Sequence, residues 1–192
     1  MIRATVLALA LAASFAATAA PVEYKLDPNH TVVLASWSHF GYSHPTANFG
    51  HVDGTLVYDA DDVAKSRVEV TLPLAGLDTF VPKLDDHLRS ADFFDAAKYP
   101  TITFRSTGVQ DVGGGKLKIM GDLTVHGVTR PVTLDATLNQ ASVHPMTKAP
   151  TIGFDATTTI KRSDFGVGAY VPKVGDEIAI RITTEAAAPA TP

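Results

Sequence analysis

The chain predicts an all-β domain, an antiparallel barrel or sandwich, on three observations. Apolar and polar side chains alternate with a period of two through most of its 192 residues, the pattern of half-buried strands. Glycine-containing tight turns punctuate the alternating runs, and seven or eight such strands in one domain close into a sandwich or a barrel. Helical spacing is confined to one short stretch near residue 85. No internal repeat and no second domain is evident, and alternation alone leaves barrel and sandwich both open.

In chain order, residues 1–19 read as a secretory signal peptide. Arg3 supplies the positive start, Thr5–Phe15 the apolar run and Ala17-Thr18-Ala19 the small-residue cleavage signature. The cut is placed after Ala19 because Pro21 disfavours one after Ala20. The apolar run is shorter than the ~20 residues of a membrane span, and no later segment approaches that length. The rest is expected to be exported and soluble, in a bacterial periplasm.

Val33, Ala35 and Trp37 alternate with Leu34, Ser36 and Ser38 in the first predicted strand. Val68, Val70 and Leu72 alternate with Arg67, Glu69 and Thr71 in the clearest one, and Ile102 and Phe104 with Thr101, Thr103 and Arg105 in the next. Leu117–Ile119 and Leu123–Val125 are strand segments on either side of Gly121. Val132–Leu138, Ile152–Ile160 and Ile178–Ile182 complete the set. Asp111–Gly115 is a hairpin loop, because glycine takes positive φ at no steric cost. His126–Pro131 is a second tight connection, with Pro131 opening the strand that follows. Lys83–Leu88 is expected to be helical, placing Leu84 and Leu88 on one face. Ser90 is a plausible N-cap for a further turn through Phe94. The tail 186–192 has no apolar pattern and is expected to be disordered.

Composition narrows the function classes. Without cysteine the fold must rest on its apolar core, which roughly 170 residues are enough to build. A net charge of −4, more negative once Arg3 is removed, argues against nucleic acid as a partner. The connector Asp85–Asp95 is anomalous: strand connections are usually short and polar, yet this one carries Leu88, Phe93 and Phe94, which need burial.

Specific residues carry a family resemblance. Leu26-Asp27 with His30, then His39, Gly41, Ser43, Phe49 and Asp53-Gly54 come first, followed by Leu77-Asp78-Thr79 and His87–Phe94. Tyr99-Pro100, Phe104–Thr107, Gly121–Thr124, Gly127–Val132 and Lys161–Gly166 follow in order. With these landmarks the chain resembles the YceI-like family, exported proteins associated with binding of polyisoprenoid lipids, over residues 20–185. The resemblance implies an extended lipocalin-like barrel of eight antiparallel strands with an apolar tunnel and a short helical lid. It also implies a carrier that sequesters an isoprenoid, an isoprenoid quinone or a similar long-chain lipid, with no catalytic role. Contact with a membrane and a homodimer are compatible with it. Three positions depart from the family pattern: Ala35 where phenylalanine is common, Ala47 where glycine is common, and Leu84 where arginine is common.

On this reading Trp37, Phe49, Val70, Leu72, Leu88, Phe93, Phe94, Phe104, Phe154 and Phe165 line the tunnel, where an unassigned β domain would simply pack them as core. His39 and His87 belong to the mouth, and Arg89 is the residue assigned to a polar head group, because guanidinium offers several donors in a fixed fork. The lid carboxylates Asp85, Asp86 and Asp92 have solvated self-pairing as their ordinary reading. Each five-carbon isoprene unit buried from water is worth roughly 3–4 kcal/mol. The real competitor is a bilayer, so selectivity must come from fit and from polar contacts at the mouth. The seven histidines lack the spacings of a metal site, and no Gly-x-Ser-x-Gly, phosphate-binding loop or dinucleotide fingerprint occurs. The alternatives are a sealed barrel acting through its surface as an envelope stress or interaction module, and a histidine-based metal binder. A pocket of ~300 Å³ or more separates the carrier from the sealed barrel.

Overall fold

Residues 20–189 are described by the computed structural model; residues 1–19, where a signal peptide is expected, and residues 190–192 lie outside the described residues. The strands are β1 (Val22–Leu26), β2 (Val32–Ser36), β3 (Thr46–Phe49), β4 (Asp53–Tyr58), β5 (Arg67–Pro73) and β6 (Leu77–Asp78). After helix α1 (Pro82–Arg89) come β7 (Thr101–Gly113), β8 (Lys116–Val125), β9 (Val128–Val143), β10 (Pro150–Lys161) and β11 (Glu177–Ala187).

Hydrogen bonding runs β1-β4-β5-β7-β8-β9-β10-β11 and returns to β1, where Lys25 and Leu26 pair with Ala187 and Ala186. All pairings are antiparallel. This is a closed eight-stranded barrel, and closure leaves the ring no open sheet edge. The remaining strands extend it: β11 pairs on with β2 from Thr183↔Val32 to Ala179↔Ser36, β2 with β3, and β3 with β6. Because β2, β3 and β6 continue the positions of β1, β4 and β5, eleven segments occupy eight places around the wall. The β11–β1 pairing therefore decides for a barrel, where alternation left the sandwich equally open.

The broken positions are those that alternation does not reveal. β1, β3, β4 and β6 are two to six residues long, too short for a period to stand out. Asp53-Gly54 has the composition of a turn yet opens β4. Gly54 is needed there because a Cβ would sit 2.5 Å from the Glu69 carbonyl oxygen on the paired strand. Conversely, the two segments flanking Gly121 are one strand, β8.

Two local expectations are corrected. The β8–β9 connection is only His126-Gly127, both in the left-handed region at φ 52 and 73, so the pair closes a two-residue hairpin. Pro131 therefore lies inside β9, opposite Asp122. Ser90 caps the end of α1 instead of starting a new helix: its hydroxyl donates to the His87 carbonyl at 2.7 Å, and residues 91–94 form turns. The tail is also more ordered than expected through residue 189. Ala186 and Ala187 belong to β11, and the Ala188 amide donates to the Pro150 carbonyl at 2.9 Å. A run of alanines gives no apolar-polar contrast, so this pairing has no sequence signature.

Candidate functional site

Inward side chains of the barrel leave a cavity of about 690 Å³ between them. Small residues are the reason. Ala35, Ala47, Ala136, Ala156 and Ala186 all face it from different strands, and each occupies a position where a larger side chain would fill the interior of an eight-stranded barrel. The walls between them are aliphatic and aromatic, including Val70 and Leu72 of β5, Ile119 and Leu123 of β8, and the cross-strand neighbours Val33 and Ile182 of β2 and β11. A sealed, side-chain-filled barrel is therefore not the architecture.

One end is covered by α1 and the turns after it. Leu84, His87 and Leu88 face the cavity from the helix, and Phe93 and Phe94 from the turns. Two polar anchors hold this segment. Asp85 is buried and accepts from the Thr79 amide at 2.7 Å and the Thr79 hydroxyl at 2.6 Å. Arg89 donates through Nε to the Leu74 carbonyl at 3.0 Å and through Nη2 to the Leu77 carbonyl. Aromatic edges complete the fit, with Phe49 against Phe94 at 6.4 Å and His87 against Phe93 at 4.9 Å between ring centres.

The same end holds an unusual cation. Arg162 is buried, faces the cavity and has four backbone acceptors in place of a carboxylate. Its Nε donates to Gly175 at 2.9 Å, Nη1 to Val167 at 2.5 Å, and Nη2 to Ala169 and Val174 at 2.9 Å each. These bonds wrap residues 167–175 around the guanidinium. Burial pushes its pKa down, against the raising influence of Asp176. Burial alone would raise the Asp176 carboxyl; the side-chain and backbone hydrogen bonds from Ser163 and the charge of Arg162 outweigh that and hold it below its ordinary range.

Of the residues expected at the site, Trp37, His39, Phe49, Val70, Leu72, His87, Leu88, Phe93, Phe94, Phe104, Phe154 and Phe165 all face the cavity. Arg89 does not. Its guanidinium is engaged with the carbonyls of Leu74 and Leu77 and lies 4.0 Å from Asp86, so it ties the helix to the barrel and leaves no head-group fork pointing inward. Arg162 and Leu84 are lining residues that the site expectation omits. Asp92 pairs with His87 at 3.7 Å in solvent. Among the described residues, no three histidine or carboxylate side chains converge as a metal-binding group.

Comparison with known proteins places these features. The YceI-like domain family matches residues 24–186. A UPF0312 protein of Vibrio vulnificus strain YJ016 is 42% identical over 166 residues, covering 85% of this chain and 86% of its own. The crystal structure of Burkholderia cenocepacia BcnA superposes with a TM-score of 0.76 at 27% identity, over 83% of this chain and 98% of BcnA. A polyisoprenoid-binding domain from Saccharophagus degradans shares the fold at 15% identity and a TM-score of 0.69, over 88% of this chain and 99% of that domain.

Proposed function

The chain belongs to the YceI-like domain family, and from that premise we propose that it is a periplasmic carrier holding one isoprenoid-type lipid or isoprenoid quinone in its barrel. The single observation that carries the reading is the apolar cavity of about 690 Å³. At the ~30 Å³ that a small molecule such as water occupies in a liquid, this is room for more than about twenty non-hydrogen atoms. The volume lies within the ~300–1,000 Å³ range of small-molecule sites. The middle of the wall is apolar and polar side chains gather toward its ends, with His39, His87, Tyr170 and Arg162 at the lid end and Tyr58, Ser66 and Arg67 at the other, so packing holds the tail and the lid-end group is the one assigned to the head. The polyisoprenoid-binding neighbour of the same fold supports this choice of ligand class. No step of chemistry is assigned to the site, which retains and releases its ligand.

Trp37 is the only tryptophan in the chain and faces the cavity, so its fluorescence reports occupancy. Titration with a short-chain isoprenoid quinone should quench it to a one-to-one endpoint. Protein purified without detergent should show a single lipid adduct by native mass spectrometry. No quenching by the quinone together with no adduct would refute the reading.

A further inference from the structure

Three loops at the lid end carry large apolar side chains into solvent. Phe40 and Tyr42, 49% and 93% exposed, lie between β2 and β3; Phe80 at 77% and Val81 precede α1; Tyr170 at 61% and Val171 precede β11. The loops are built together. The Phe40 amide donates to the Lys173 carbonyl at 2.9 Å, and the Tyr170 ring lies 6.4 Å from His87 and 6.1 Å from Phe93 of the lid segment. Phe40 and Tyr170 also face the cavity, so the exposed rim is continuous with its wall.

Two further observations say what this rim meets. Phe40, Phe80 and Tyr170 all have left-handed backbones, with φ of 54, 63 and 65. Bulky residues rarely adopt that conformation, and solvent exposure of the rings gives nothing back for it. Segments 38–45, 79–83 and 168–175 moreover contain Lys83 and Lys173 and no carboxylate, in a chain with 20 acidic against 16 basic residues. The acids that border these segments are engaged by neighbours: Asp78 accepts from the Phe80 amide, Asp176 from the Ser163 amide and hydroxyl, Asp86 lies 4.0 Å from Arg89, and Asp92 lies 3.7 Å from the His87 ring. Loop tips that carry aromatic rings and lysines, with the acids set back from them, suit the headgroup region of an anionic bilayer, where ring and ammonium groups are both favoured.

We propose that this rim docks on an anionic phospholipid bilayer and that the ligand passes between membrane and cavity through it; the passage rests on the carrier reading, the docking does not. The test is flotation of the full protein with vesicles free of isoprenoid, either phosphatidylcholine alone or with about 30% phosphatidylglycerol to supply negative surface charge. The protein should float with the anionic vesicles. The double variant Tyr42→Ser/Phe80→Ser should lose on the order of tenfold in partitioning, and Lys83→Gln about fivefold on anionic vesicles only. Met146→Ser, on the β9–β10 hairpin at the other end of the barrel, should leave partitioning unchanged. Trp37 quenching by quinone delivered in detergent should be retained by every variant. Absence of flotation, equal loss in the Met146 variant, or a rim-dependent dimer that does not float would each overturn the docking proposal. Loss of quenching in the unmodified protein would instead sink the carrier reading while leaving docking to be judged by flotation.

Discussion

Replacing Arg162 by methionine tests how the lid end is held together. Methionine keeps an apolar stem but removes the donors that serve the carbonyls of Val167, Ala169, Val174 and Gly175. A buried acceptor left without a partner costs about 1–3 kcal/mol, so four of them set an upper bound of about 12 kcal/mol. Two effects lower it. Methionine strands no charge in the apolar wall, and the segment Gly166–Gly175 can open so that water serves its carbonyls. The cost is then that of releasing the loop, about 3–5 kcal/mol, a large part of the ~5–15 kcal/mol that holds a domain folded. At roughly 2–4 °C per kcal/mol, Tm should fall on the order of 10 °C. Urea unfolding gives the free energy, and amide exchange across residues 166–176 should speed up ahead of the strands. Arg162→Lys should recover only part, since an ammonium cannot reach four carbonyls spread around a planar fork. A loss below about 1 kcal/mol with unchanged exchange in the loop would refute the claim that these hydrogen bonds secure it.

Two other outcomes follow from the geometry. A Cβ at Gly121 would sit 2.6 Å from the Arg105 carbonyl and 2.7 Å from Cε2 of Phe104. Gly121→Val should therefore cost about 1–3 kcal/mol in urea unfolding and push the Phe104 ring into the cavity, weakening quinone quenching of Trp37; unchanged stability would contradict the packing. The exposed pair Asp27–His30 should make stability pH-dependent. The hydrogen bond from His30 lowers the Asp27 pKa, so that contribution is lost as pH falls through the lowered value; the same bond raises His30, whose contribution is lost as pH rises through the raised one. Both are fully present between about pH 4 and 6.5, the ordinary values of the two groups. The stability gap between unmodified protein and His30→Gln should accordingly be wider at pH 5.5 than at pH 9, and a flat gap would exclude the linkage.

The long strands β7 to β11 are legible in the sequence because each runs ten residues or more with one face inward. Leu84 and Leu88, four apart beside charged neighbours, likewise announce the lid helix. Arg89 is misread for a physical reason: chain order does not disclose that its guanidinium reaches back to the carbonyls of Leu74 and Leu77. Arg162 escapes notice for the converse reason. Lys161-Arg162-Ser163-Asp164 has the composition of a solvated turn, and only the folded path of residues 167–175 buries one of its charges. The cavity itself depends on alanines such as Ala136 and Ala156, whose consequence for interior volume appears only when all eight wall positions are assembled.

The wall is jointed on one side only. Positions formed by β1 with β2, β4 with β3 and β5 with β6 are adjacent and interrupted, whereas β7 to β11 run unbroken opposite them. Interrupted ladders open locally at lower free energy than long continuous ones, so compliance concentrates on the jointed half. The barrel thus has a stiff back and a yielding front, so any change in the girth of the cavity falls to the front while the back keeps the barrel's shape.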